Sequence, residues 1–587
     1  MAAPRNQGRG KRGERHVAAL EKRGRFAVVK PIFEPGEQVP LDRKTRVREN
    51  QIVWAEFSRG RARIIKNLGR LDNARDVCEA LALERLGRRG FSKSLEAAAE
   101  RDAANPVELA GRRQDLTGLP TFTVDPASAR DFDDAVSAKA EGDSLRLWIH
   151  IADVAAYIRP GSELDAEAAL RANSTYVPTS VEPMLPLALS AGVCSLSPDV
   201  PRLAVTTEIL LGPGGEVKKA SFYRSLVRSD ARLDYDELDR IFAGRHRAPE
   251  LVAEPIELAR RAAFELGSQR NDALEVNSSE PSFTFDADGN VTGAVAEAQT
   301  EAHRLIERLM VLTNESVAEL LSAQKVPTLY RVHEQPDPDR ISRLADQMAS
   351  LDLPMPPVPD GLGPTEAGEV AVAASRMVAA EARRRGHGGR AWSSLILRSL
   401  KPARYSEANL GHAGLGSEAY CHFTSPIRRY ADLIAHRGLL STVSSDEERP
   451  DAGDVARAAE FCSDGERDAS RLERDADDVC AAFLLERELY ERGWKRTFEG
   501  EVSGVIGAGA FVTFGGEFGD VYEGMMPVRR IRDDRYNLNE QETALIGDKT
   551  GRSFRFGDPV TVTVDRVNVI KGRVDLDPVP DDRRKSG

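Results

Sequence analysis

Residues 121–134 read Thr-Phe-Thr-Val-Asp-Pro-Ala-Ser-Ala-Arg-Asp-Phe-Asp-Asp. Phe122 to Val124 is a short apolar run rich in β-formers, and it delivers Asp125 to a turn at Pro126. Asp131, Asp133 and Asp134 follow, split by Phe132. Carboxylates this close repel one another, so they face water or bind cations. A turn folds Asp125 back against the later three and lets the oxygens converge. Hard oxygen ligands with open positions suit Mg²⁺, which keeps several waters and takes other ligands from a phosphate. Sites of this kind cut or transfer phosphodiesters. The bland alternative is a solvated turn, because Asp hydrogen-bonds its own backbone. A calcium loop fits worse: the acidic positions do not alternate as required, and the Gly and closing Glu are missing. On its own, the stretch leaves metal site and solvated turn both open.

The rest of the chain narrows the choice. Its 587 residues predict roughly four domains. With 41% hydrophobic and 30% charged residues it reads as globular and soluble. No run approaches the ~20 apolar residues of a membrane span. The basic, polar N-terminus lacks the apolar core of a secretory signal. Cys78, Cys194, Cys421, Cys462 and Cys480 are scattered, which argues against a disulfide framework or zinc site and for reduced thiols in the cytoplasm. The net charge of −11 first argues against a nucleic-acid partner. Phosphates respond to local charge, however, and a basic channel suffices.

The fold class expected is α+β and multidomain. Residues 1–25 are dense in Arg, Lys and Gly and read as a disordered basic arm, with non-specific phosphate affinity as the other reading. Residues 26–75 carry short β-rich runs, as in a small OB or cold-shock β-barrel. Residues 76–115 look like a helical connector. Residues 116–438 mix strand and helix in a central α/β domain. Within it, 203–211 and 217–228 alternate as a hairpin around Gly212-Pro-Gly-Gly, and helices are expected at 234–243, 254–271, 301–324, 337–350 and 366–385. Residues 439–495 form a helical segment closing that domain, with one long helix over 452–492. Residues 496–580 return to strands at OB-fold spacing, before a tail over 581–587.

Thr424-Ser-Pro places hydroxyls and a Pro at a helix start, with Arg428 and Arg429 expected in its first turn. The helix dipole disfavours cations there, so the pair points to a bound anion, or to surface salt bridges. In the last domain Phe511, Phe514 and Tyr522 sit where rings could stack on bases, near Arg529, Arg530 and Arg532. Some of these rings must be core, since alternate residues of a barrel strand point inward.

At this point the chain resembles the ribonuclease II/ribonuclease R (RNB) family of exoribonucleases. The resemblance rests on Thr123-Val-Asp-Pro with Ala129-Arg-Asp-Phe-Asp-Asp-Ala, His150-Ile-Ala-Asp-Val, Tyr176-Val-Pro, Pro183-Met-Leu-Pro, Cys194-Ser-Leu, Leu305-Ile-Glu-Arg-Leu-Met and His422-Phe-Thr-Ser-Pro-Ile-Arg-Arg-Tyr, in the family's order. It implies an RNB catalytic domain over 116–438 and an S1-type OB fold at the C-terminal end. It implies processive 3′-to-5′ hydrolysis of single-stranded RNA to nucleoside 5′-monophosphates. Asp125, Asp131, Asp133 and Asp134 would hold two Mg²⁺ ions, with Mn²⁺ as a substitute, and Asp133 would be the most sensitive. Arg428 would grip the phosphate, Tyr176 would pack on the 3′-terminal base, and Tyr235 with Glu307 would select ribose. Arg429, Phe511 and Phe514 are further expected RNA contacts. Two departures stand out. Val276 takes the position where the family usually has a clamp aromatic, and there is room for one N-terminal barrel where the family often has two. Single-stranded RNA is the expected partner of a cytoplasmic monomer with no obligate protein partner. The competing classes are a non-catalytic RNA-binding protein on the same fold, and a DNA or other two-metal phosphodiesterase.

Overall fold

The computed structural model describes residues 14–23, 26–41, 48, 50–105, 113–269, 274, 281–296, 298–444, 447–531 and 533–579. Val276, Arg532 and the tail over 581–587 lie outside these residues.

The N-terminal unit is a five-stranded sheet of β1 (Glu14–Arg23), β2 (Phe26–Pro31), β3 (Val39–Pro40), β4 (Gln51–Ser58) and β5 (Arg61–Arg70). Its order is β3-β2-β1-β4-β5, and a parallel bridge between Leu41 and Ala62 brings the edges together. Over 14–23 this differs from the expected basic arm, because β1 is the central strand of the sheet; residues 1–13, 24 and 25 of that arm lie outside the described residues. Val17, Ala18, Ala19 and Leu20 are buried. That four-residue apolar core outweighs the flanking Arg and Lys, which remain outside. Helices α1 (Ala74–Leu86) and α2 (Lys93–Ala104) follow the sheet.

The central domain is built on seven strands: β6 (Gln114–Asp115), β7 (Phe122–Val124), β8 (Asp134–Glu141), β9 (Ser144–Ala152), β12 (Arg202–Leu211), β13 (Val217–Val227) and β14 (Ala231–Leu233), with a separate hairpin of β10 (Thr175–Val177) and β11 (Ser180–Glu182). The sheet order is β14-β7-β8-β9-β12-β13-β6. Residues 212–215 turn the β12–β13 hairpin as expected, with Gly214 and Gly215 at positive φ. The sheet's two faces differ in residue size. Val136, Ile149, Ile151 and Val205 face one core, shared with helices α5 (Ala253–Gln269) and α6 (Glu301–Ala323). Their neighbours Ala135, Ala152 and Ala204 face a second core, with Leu164 of α3 (Glu163–Arg171) and with Leu433 and Ile434. Small residues on that face let the second layer approach closely.

Three more helices, α7 (Pro338–Ser350), α8 (Pro364–Arg385) and α9 (Gly389–Ser399), follow α4 (Tyr235–Phe242), α5 and α6. Helix α10 (Tyr430–Val443) crosses the expected boundary at 438, and α11 (Ala452–Arg492) runs 41 residues. Arg428 and Arg429 precede α10 instead of entering its first turn: Arg429 has extended backbone (φ −133°, ψ 124°) at its cap. Along α11, Cys480 Sγ lies 3.6 Å from Cys78 Sγ of α1, so the long helix ties the connector to the rest.

Strands Thr497–Ile506, Gly509–Gly516, Gly519–Pro527, Pro559–Asn568 and Arg573–Pro578 close a barrel. Phe514 is not a base-stacking ring. It is fully buried and packs 5.3 Å from Phe498 and 5.5 Å from Tyr522, also buried. Strand alternation turns Ala510, Val512 and Phe514 inward and leaves Phe511 half-buried on the other side. The barrel docks on α9 through Trp392, whose Nε1 donates to Phe556 O at 2.9 Å. Gly557 has φ +81°, and a Cβ there would collide with that indole. Trp392→Ala should therefore cost about 3–5 kcal/mol of stability. Thermal melting followed by tryptophan fluorescence and circular dichroism checks this; a change within about 0.5 kcal/mol would contradict the docking role.

Candidate active site

Strand β7 is buried along its whole length and pairs in parallel with β14. The pairing continues one residue further, where the Asp125 N–H donates to Leu233 O at 3.2 Å. The chain then turns, with Ala129 N–H donating to Pro126 O at 2.9 Å. Ser195 pins the return: its Oγ accepts from Phe132 N–H at 3.0 Å and donates to Arg130 O at 3.1 Å. Phe132 is buried in the second core, which sets Asp131 and Asp133 on either side of it. Asp134 opens β8 opposite Ile151.

A second loop from far along the chain meets the first. Asp133 Oδ1 accepts from Ile427 N–H at 2.9 Å, across 294 residues. Arg428 Nε lies 3.7 Å from Asp133 Oδ2, and Arg428 Nη2 donates to Ser425 Oγ at 3.1 Å. Arg428 is half-exposed and open to an anion. Arg429 is not: its Nε and Nη2 both donate to buried Asp432, at 2.8 Å each. Asp432 also accepts from Ser425 N–H at 2.8 Å, so Arg429 holds the shape of the loop and its fork is spent there.

The four aspartates line one cavity of about 1110 Å³, together with Tyr176, Tyr235, Glu307, Arg428 and Arg429. Phe511 and Phe514 do not line it. Tyr176 is 39% exposed on β10, directly opposite Val181. Its backbone N–H donates to Glu473 Oε1 at 2.8 Å, and Ser174 N–H donates to Arg428 O at 2.9 Å, which ties hairpin and Arg428 loop together. Tyr235 is the first residue of α4, behind the N-cap Asp234. Burial, and then the charges of Asp134 and Asp125, raise its hydroxyl's pKa, so it stays a hydrogen-bond donor.

Burial dominates the carboxyls as well. It raises Asp131 and holds Asp133 well above the usual range, with Arg428 opposing the shift at both. Asp125 and Asp134 titrate as a pair, pushed up by burial to about 8 and about 6. Asp125 Oδ2 is buried with no hydrogen-bond partner. Among the described residues no three acidic, His or Cys side chains form a ready metal cluster. An orphaned carboxylate oxygen, an all-oxygen donor set and carboxyls whose charge is disfavoured first by burial fit a hard divalent cation.

Two contributors escaped sequence reasoning. His303 of α6 stacks on Tyr235 with ring centroids 3.9 Å apart. Buried Asn314 lines the cavity, donates to Tyr420 Oη at 3.0 Å and accepts from Phe423 N–H at 2.9 Å, which braces the segment leading to Arg428. The available signal was a lone Asn inside the apolar face of a helix.

Residues 113–445 match the model of the RNB domain. Ribonuclease R of Escherichia coli is 33% identical over 498 residues, which cover 81% of this chain and 59% of that protein. The chain thus spans well under two thirds of that relative's length. Ribonuclease R of Aquifex aeolicus is 30% identical over 617 residues, covering 97% of this chain and 82% of that one. Among solved structures, Mycoplasma genitalium RNase R in complex with ribose methylated single-stranded RNA superposes with a TM-score of 0.84 at 24% identity, covering 98% of this chain and 90% of the other. Yeast Ssd1, a pseudonuclease, has the fold too, at TM-score 0.66 and 15% identity over 91% of this chain and 68% of its own. With more than half its length matched, this chain belongs to the RNB-domain family that includes ribonuclease R.

Proposed function

We propose that the chain is a divalent-metal-dependent exoribonuclease that hydrolyses single-stranded RNA from the 3′ end, processively, to nucleoside 5′-monophosphates. The observation that carries this is the joining of all four aspartates and an open Arg428 in one cavity. The fold alone does not decide, since a structural neighbour is named a pseudonuclease. The complete carboxylate set and the half-exposed Arg428 favour the enzyme over a binding-only protein. Mg²⁺ is the proposed cation, and a cytoplasmic monomer the proposed form.

Asp125, Asp131, Asp133 and Asp134 would hold the cations. Bound divalent cations supply a water ionised near neutral pH and offset charge on the attacking and leaving oxygens. The chain's own residues do the rest. Arg428 offers its guanidinium to the phosphate at the scissile bond. Its contact with Asp133 keeps the head aimed at the cavity until a phosphate takes it. Tyr176 offers a ring face to the last base. Tyr235 donates to, and Glu307 accepts from, the 2′-hydroxyl, which can do both.

Incubation of 5′-labelled RNA with Mg²⁺ should give progressive shortening from the 3′ end, release of nucleoside 5′-monophosphates, and arrest by EDTA. RNA binding without release would leave the binding-only reading standing. Asp133→Asn should lower kcat by about 10²–10³-fold while RNA affinity stays within a few-fold, read by single-turnover kinetics and fluorescence anisotropy. Loss of binding instead would make Asp133 structural.

Burial also predicts a pH effect on stability. Below about pH 4 Asp125 is protonated in folded and unfolded states alike. Between there and about 8 only the folded state holds the proton, so metal-free stability falls as pH rises, and the loss is complete above about 8. Asp125→Asn removes this loss. In EDTA the variant should melt roughly 2–6 °C above wild type at pH 8, with a smaller gap at pH 5. A variant melting below wild type at pH 8 would contradict the assignment.

A further inference from the structure

His303 is the third residue of α6 and closes its N-terminal cap. Thr300 Oγ1 accepts from the His303 N–H at 3.5 Å, and His303 Nδ1 accepts from the Thr300 N–H at 3.4 Å. Nδ1 also meets the Thr300 hydroxyl at 2.7 Å. This is a capping box with His in the place usually taken by Glu or Gln. A Glu or Gln would serve the cap equally well, but neither offers an aromatic face.

The face is in use. The imidazole lies flat on the Tyr235 ring, with planes 12° apart and centroids 3.9 Å apart. The helices carrying the two rings are also tied where Ala302 N–H, in the first turn of α6, donates to Asp239 Oδ1 in the middle of α4 at 3.0 Å. Glu307 stands four residues beyond His303, one turn along the same side of α6. Tyr235 and Glu307 therefore enter one cavity from two different helices, and the His303 ring spans the gap between those helices.

We infer that His303 is a positioning residue for ribose selection, holding the Tyr235 ring in register with Glu307; the inference rests on the proposed reading of that pair as the 2′-hydroxyl contacts. Without the ring, Tyr235 regains side-chain freedom and its hydroxyl no longer meets the ribose at a fixed distance from Glu307. The 2′-hydroxyl contact is lost, while cleavage of a 2′-deoxy end, which never used it, continues.

Full-length variants separate this role from the cap. His303→Gln keeps the cap and loses the ring; His303→Phe keeps the ring and loses the cap. The readout is kcat/KM on an all-ribose oligomer divided by that on the same oligomer ending in 2′-deoxynucleotides, with melting curves alongside. The ratio should fall about tenfold in His303→Gln, which melts cooperatively with at most the small loss of one aromatic pair, and return towards wild type in His303→Phe. Retention of the ratio in His303→Gln with its loss in His303→Phe would reduce the residue to a cap and overturn the inference. Tyr235→Ala runs in parallel. If it lowers the ratio and His303→Gln does not, the inference alone fails. If Tyr235→Ala leaves the ratio unchanged, the ribose reading of Tyr235 fails and the role of His303 falls with it.

Discussion

Four carboxyl groups desolvated around one cavity are the constraint on which the rest of the structure depends. Burial alone disfavours their charges, and mutual repulsion between Asp125 and Asp134 adds to it. One oxygen of Asp125 has no partner at all. Such a group persists only when the surrounding fold is strong enough to hold it and a ligand gives something back. The fold supplies the strength through a seven-stranded sheet packed on both faces. A divalent cation would supply the return.

The cavity exists because two loops distant in sequence are locked together. The Asp133–Ile427 hydrogen bond joins them directly, Arg429 on Asp432 fixes the second loop, and Ser174 N–H on Arg428 O adds the hairpin that presents Tyr176. The mechanism and the folding problem thus share residues. Asp133 is both a candidate ligand and the acceptor that positions the Arg428 loop. Arg428 and Arg429, adjacent in sequence, divide the labour: one stays available for a phosphate, the other is consumed by structure.

Much of this was legible in the sequence. The Asp cluster, Tyr176, Tyr235, Glu307 and Arg428 were each named from motifs, and all line the one cavity. Hairpin β12–β13 and the long helix α11 followed from alternation and helical composition. The misreadings have physical causes. Charge density masked the apolar core of β1, whose Val17–Leu20 run needs a sheet around it to declare itself. The parity of Phe511 and Phe514 depends on which barrel face is inside, which strand alternation leaves undetermined until the barrel closes. Arg429 could not be told from Arg428 without seeing Asp432 turn back one helical turn later. His303 and Asn314 act through partners on other elements, tens of residues away for His303 and about a hundred for Asn314, and only the Asn314 amide inside an apolar helix face left a local signal.

The most direct measurement is a calorimetric titration of Mg²⁺ into the metal-free full chain at pH 7, repeated in buffers of different ionisation enthalpy. A carboxyl whose pKa burial lifts to about 8, as at Asp125, must release its proton when a cation takes its oxygens. Net proton release is expected for wild type, and distinctly less for Asp125→Asn, which has no proton to give at that position. Mg²⁺ binding with no proton release, or release unchanged in Asp125→Asn, would contradict the claim that the buried aspartates form the metal site.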